Sequence, residues 1–216
     1  MTTTIRQHRD LILERTLFQV AFEGWSERAL RMGAVDAGFA LGAHVRFFPG
    51  GVKDMIHHWA EWSDRRMLER VDTAALDALP VRERVARLVR ERIEVNAHHR
   101  EAVRRAMSYL ALPGNGGSAR RLVSATVDAI WYAAGDQASD FSFYTKRAAL
   151  AAVLVATLLF WLDDASDDSD DTWAFLDRRL DDAMAIPRLR SRVGGVLRAM
   201  RPGRLFGGAN EVAQQL

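Results

Sequence analysis

Six histidines and a run of aspartates are the residues here with the chemistry to bind a metal or move a proton. His57 and Glu61 stand four apart, as do Glu94 and His98, so each pair would share one face of a helix. A carboxylate-bridged two-metal bundle uses Glu-x-x-His instead, with further glutamates on facing helices. The spacing here is wrong and the glutamates are too few, so no metal centre is expected. His98 and His99 read as a helix end at the surface. "DDASDDSDD", from Asp163 to Asp171, holds six aspartates but lacks the glycine and bidentate glutamate of a calcium loop. It reads as a solvated connection whose last acids favour the positive end of the following helix. Asp163 and Asp164 sit at the wrong end of the preceding helix for its dipole and find no account in the sequence. No phosphate loop, dinucleotide fingerprint or G-x-S-x-G elbow is present. "FPGGVKD" follows a helix rather than a strand and reads as a helix–helix corner. No catalytic residue and no cofactor is therefore expected.

The more informative residues are apolar and aromatic. In "IWYAAGDQASDFSFYTKRAAL", Ile130 to Leu150, four rings crowd a break between two apolar helices: Trp131, Tyr132, Phe143 and Tyr144. Rings beside charges at such a joint suit a protein interface, where aromatics fill partner pockets. The bland alternative is that the rings are core. Trp131 and Tyr132 are adjacent, about 100° apart on a helix, so they need not share a fate. Just downstream, Ala148 to Leu162 is apolar except for Thr157. That run falls short of the ~20 residues that span a bilayer. A helix apolar all round is normally buried in a domain, and this one is placed to line an apolar pocket as well.

The elements that must position these residues are all helical. The 216 residues are 49% apolar and 27% charged, as in a soluble globular chain, with no cysteine for disulfides or thiolate sites. Helical periodicity runs throughout, and no strand alternation or internal repeat is visible. About ten helices are expected. The first carries Leu11, Leu13, Leu17 and Val20 near one face. Ser26 caps the second, Gly38–Phe48 forms a short third, and a long fourth begins at "GGVKD". Pro80 opens the fifth and Arg100–Leu112 is the sixth. The seventh, Ser118–Ala134, stops at Gly135. Phe141–Leu162, Thr172–Ile186 and Leu189–Met200 complete the set. Three regions follow: a helix-turn-helix-like module at 1–49, a helical domain at 50–185, and a basic amphipathic helix with its tail at 186–216.

Charge separates the two ends. The formal net charge is +2, and of 30 basic residues only Lys53 and Lys146 are lysine. Residues 1–49 carry six arginines against five acids, a balance of +1, and the element that would read DNA offers only Arg46. A duplex reader needs more phosphate and base donors, so no nucleic-acid partner is expected. From Ile186 onward there are six arginines against Glu211 alone, a balance of +5. Leu189, Val193, Val196, Leu197 and Met200 recur there at helical spacing, the pattern of a basic amphipathic helix that lies on a membrane surface or in a partner's groove, with a helix packed on the domain as the bland alternative. The N-terminus has no apolar signal core and mixes acids with its arginines, unlike a transit peptide. The expected location is cytoplasmic, peripheral to the inner membrane.

The segment "AIWYAAGDQASDFSFYTKRAALAAVLVATLLFWLDDASDDSDDTWAFLDRRLDDAM" closely resembles the C-terminal signature of the ubiquinone-biosynthesis accessory lipid-binding family. The matching features are the A-G-D-x-x-x-D-F-x-x-Y-T-x-R run, the D-x-S-x-D joint and the T-W-x-F-L helix. "RALRMGAVDAGF" and "FFPGGVKDMIHHW" look like the same family's N-terminal half, so the match covers most of Ala21 to Met184.

The resemblance implies an all-α, TetR-like fold, used without DNA. It implies an apolar pocket for an isoprenoid lipid, ubiquinone or a precursor. With the buried-type run, that places Leu150, Val153, Leu154, Leu158 and Trp161 in the lining, with Trp131 and Trp173 nearby. It implies a last helix that meets the membrane, and a helper role for the demethoxyubiquinone hydroxylase, a di-iron enzyme. It also puts partner contact at Ile130, Asp140, Phe143, Tyr144 and Arg147, where Asp140 is equally placed to cap a helix. A homodimer is left open. The chain itself would not be a catalyst. Two departures bear on partner contact: Phe143 stands where animal members have tryptophan, and Lys146 replaces an arginine. The competing reading is a TetR-type ligand-responsive repressor. An enzyme reading has no acid–base or metal constellation behind it.

Overall fold

Helix α1 (Ile5–Glu23) starts at a capping box, in which Thr4 and Gln7 each accept from the other's backbone amide. Its buried stripe is Ile12, Leu13, Thr16, Leu17 and Val20, whereas Leu11 faces solvent. Helix α2 (Glu27–Asp36) begins at Ser26, whose hydroxyl accepts from the Ala29 amide as the sequence predicts. The two helices meet at Gly33. A Cβ there would lie 2.8 Å from the Thr16 backbone, so only glycine permits this approach.

The short third helix differs from expectation. Only His44–Phe47 (α3) is helical, because Gly38 and Gly42 take φ of 86° and 89° and turn the chain before it. The single turn carries exposed Val45 beside Leu41, which is 80% exposed. Helix α4 (Gly51–Arg70) is tied to α1 by Asp10, which accepts two bonds from the Arg65 guanidinium and lies 2.8 Å from His58 Nε2.

Helix α5 (Thr73–Asp77) has no counterpart in the sequence reading. Asp72 supports it by accepting from the Ala74 and Ala75 amides. Helix α6 (Val81–Glu94) follows Pro80. A 3-10 turn (Ala97–His99) leads into α7 (Arg100–Ala111). Helix α8 (Gly116–Ala133) ends at Gly135, whose φ of 81° and amide bond to the Tyr132 carbonyl stop it at the expected residue.

Helix α9 (Phe141–Asp163) leads through a second 3-10 turn (Asp167–Ser169) to α10, helical over 170–183. The computed structural model describes residues 4–135 and 141–183, with side chains from 144 onward in the second stretch. Among these residues there are ten α-helices and no strand.

Residues Met1–Leu180 form one compact unit, and Asp181–Leu216 a second, of which only 181–183 are described. In the first unit α1 packs on α2, α4 and α7, while α4 also packs on α6 and α8. Helices α7, α8 and α9 pack on one another. By length and composition, Tyr144–Asp163 of α9 would suffice to cross a membrane. In this fold Leu150, Val153, Leu154, Thr157 and Trp161 of that stretch are buried, while Leu159 and Phe160 are exposed, so α9 buries one side in the domain and leaves apolar side chains on the other.

Candidate functional site

An apolar cavity of about 300 Å³ lies between α4, α6, α7, α8 and α9. Helix α7 contributes Val103, Met107 and Leu110, at the i, i+4, i+7 spacing that gives a helix one apolar face. Ile56 and Trp59 come from α4, Leu122 and Val123 from α8, and Leu154, Val155 and Leu158 from α9. Ala60, Ala106, Ala111 and Ala119 also border the space, where longer side chains would close it.

One side of this cavity is polar. Ser63 Oγ donates to Asn96 Oδ1 at 3.1 Å, and Asn96 Nδ2 donates to the Arg92 carbonyl at 3.2 Å. Arg92 Nε donates to Asp64 Oδ1 at 2.6 Å, and Thr126 Oγ1 donates to the same carboxylate at 3.0 Å. Ser63, Arg92, Asn96 and Thr126 all border the cavity, and they cluster where α4, α6 and α8 meet. Among the described residues, α7 and α9 present only carbon and the Met107 sulfur to it. Among the described residues, no group of three or more His, Asp or Glu side chains is placed to hold a metal ion.

The lining expected from sequence is corrected in part. Leu154 and Leu158 border the cavity, but Leu150, Val153 and Trp161 do not. Those three are buried on the packed stripe of α9, whereas the cavity faces the neighbouring stripe through Leu154, Val155 and Leu158. Trp173 is also elsewhere: its ring lies under Arg90, and its indole N–H donates to the Asp168 carbonyl at 2.8 Å. Trp131 lies under Lys146, with the ammonium 5.7 Å from the ring centre, and does not border the cavity. The α4, α7 and α8 walls escaped the sequence reading. Their signal was present as the α7 apolar face and as Ser63 and Thr126, polar groups at buried helix positions, with Asn96 buried in the turn after α6.

At the α8–α9 joint the rings divide. Tyr132 is 85% exposed and Tyr144 is 71% exposed. Ile130, expected at the surface, is fully buried; it faces the core one residue before Trp131 because 100° separates neighbours on a helix. Arg147 is paired with Asp128 of α8, which fixes the start of α9 against the end of α8. Asp140 and the Phe143 side chain lie outside the described residues, as do Leu189, Val193, Val196, Leu197 and Met200.

The acidic joint between α9 and α10 acquires a role. The Asp164 carboxylate accepts from the amide and hydroxyl of Ser166 and from the amide and hydroxyl of Thr172. Burial raises its pKa, and these four hydrogen bonds outweigh burial and hold it at about 2. Meanwhile Arg100 donates to the Asp164 carbonyl and Arg104 to the Leu162 carbonyl, both at 2.6 Å. The acids at the negative end of α9 are thus offset by two α7 arginines, one of which also covers the Trp161 ring at 4.5 Å.

A family model described as COQ9 matches residues 117–187. The chain is 33% identical over 209 residues to the human "Ubiquinone biosynthesis protein COQ9, mitochondrial", covering 94% of this chain and 65% of that protein. It is 32% identical to the Xenopus laevis "Ubiquinone biosynthesis protein COQ9-B, mitochondrial", covering 94% of this chain and 71% of that one. It therefore spans just under two thirds of the human relative's length. Among solved structures, a TetR transcriptional regulator from Nitrosomonas europaea ATCC 19718 superposes with a TM-score of 0.66 at 25% identity. That match covers 82% of this chain and 97% of the other. The fold is all-α and TetR-like, as the sequence predicts.

Proposed function

The chain belongs to the COQ9 family, and from that premise we propose that it is a non-enzymatic accessory protein of ubiquinone biosynthesis. It binds an isoprenoid quinone intermediate and presents it to the demethoxyubiquinone hydroxylase at the membrane surface. The observation that carries this reading is the apolar cavity, bordered by five helices of a chain in a ubiquinone-biosynthesis family. At about 300 Å³ it is at the lower end of the range for small-molecule sites, enough for a ring and the first isoprene units.

In this proposal residues 50–185 hold the lipid and residues 1–49 brace α4 and α7. The basic segment 186–216 attaches the protein to the inner membrane, on the cytoplasmic side. The exposed rings at the α8–α9 joint meet the hydroxylase. A repressor reading is less well supported. The element that would enter a DNA groove is one turn long, follows exposed Leu41, and carries exposed Val45 with Arg46 as its one phosphate donor.

The test is mass spectrometry of lipid extracted from the purified protein. A prenylated ring of the quinone pathway, enriched over the bulk membrane extract, is the expected outcome. Bulk phospholipid alone, or no lipid, would overturn the proposal.

A further inference from the structure

We infer that Arg92 and the polar groups around it form a head-group site. It orients an uncharged, oxygen-bearing ring toward α4, α6 and α8 and leaves the hydrocarbon tail against α7 and α9. The inference rests on the lipid-binding reading and adds a direction and a selectivity to it.

The site is set by which hydrogen-bonding capacity is already used. Arg92 spends its Nε on Asp64 at 2.6 Å, and no described residue accepts from its two terminal amino groups. The Thr126 hydroxyl proton is given to Asp64, and the Ser63 proton to Asn96. Guanidinium N–H groups are donors only, so what the cavity offers an occupant from Arg92 is a pair of unspent amino donors. A carbonyl, ether or hydroxyl oxygen would satisfy them. A plain hydrocarbon would cover them without replacing the water they lose, which is costly in an apolar space.

Charge narrows the class further. The Arg92 and Asp64 side chains are only 16% and 14% exposed, and each balances the other. Among the described residues, no second arginine or lysine borders the cavity. A phosphate or carboxylate head would therefore bring an unbalanced negative charge into an apolar space beside Asp64. A neutral ring with oxygen substituents does not. The tail direction follows, because the walls from α7 and α9 contain no hydrogen-bonding side chain.

The experiment uses the full chain and displacement of an apolar fluorescent dye by three probes. These are 2,3-dimethoxy-5-methyl-1,4-benzoquinone with a geranyl tail, the hydrocarbon farnesene, and farnesyl phosphate. Wild type is expected to prefer the quinone over both others by roughly tenfold. The double variant Arg92→Gln with Asp64→Asn stays neutral and keeps a partner for Thr126. It should lose about tenfold in quinone affinity while farnesene changes less than about twofold. Arg92→Lys keeps the ion pair but not the planar fork, and it tests the same preference if melting shows the double variant to be unfolded. A quinone preference that survives in the folded variant, tighter binding of farnesyl phosphate, or equal binding of quinone and farnesene by wild type overturns the head-group site while leaving lipid binding intact. If wild type displaces dye with none of the three, the lipid reading falls as well.

Discussion

Tyr132 and Tyr144 show how single residues at one joint divide between fold and function. Their rings are exposed on the end of α8 and the start of α9, while Ile130 between the same helices is buried. Exposed aromatic anchors of this kind contribute strongly to interfaces and little to the fold. Tyr132→Ala and Tyr144→Ala are therefore expected to change stability by less than about 0.5 kcal/mol. If these rings meet the hydroxylase as proposed, each should weaken capture by about 2 kcal/mol, roughly thirtyfold. Thermal melting and a quantitative pull-down read the two effects separately. Unchanged capture would remove the joint from the interface. Ile130→Ala should do the reverse, since it opens a cavity in the core.

At the scale of elements, the α9–α10 joint depends on one carboxylate. Asp164 gathers the Ser166 and Thr172 groups that begin α10, while Arg100 and Arg104 of α7 take up the carbonyls that end α9. The folded pKa of about 2 lies below the ordinary value of 3.8. The carboxylate therefore contributes stability above pH 4, and that contribution fades as pH falls from about 4 toward 2. Asp164→Asn should lower stability by about 1–2 kcal/mol at neutral pH. It should also flatten the acid limb of a stability-versus-pH curve in that window. Denaturant titrations at several pH values measure both, and an unchanged acid limb would show that the joint is held by the arginines alone. Helix α5 and the shortened α3 belong to this scale too. A glycine pair at positive φ broke one helix, and an aspartate with free acceptors started another, in stretches where apolar periodicity was too short to decide.

For the whole molecule, the proposed division of labour puts lipid in the five-helix cavity and membrane attachment in residues 186–216. Deleting 186–216 is expected to reduce flotation with anionic liposomes, an effect that weakens in high salt, and to leave the melting of the helical unit unchanged. Equal flotation of the shortened chain would assign attachment elsewhere. The helical class, the Ser26 cap and the stop at Gly135 were all legible in the sequence. So was the family, from the run at Ala134–Arg147. Helix α9, by contrast, apolar all round and so expected to be buried, leaves Leu159 and Phe160 exposed. Caps, glycine stops and amphipathic period are local properties, set by neighbours within a few residues. Which stripe of α9 borders empty space was not legible, because it depends on where alanines of α4, α7 and α8 arrive from distant parts of the chain. The same holds for the polar wall. Ser63, Asp64, Arg92, Asn96 and Thr126 lie as much as 63 residues apart in sequence, and no periodicity links them. Only packing, which brings α4, α6 and α8 together, could turn five unremarkable polar residues into one site.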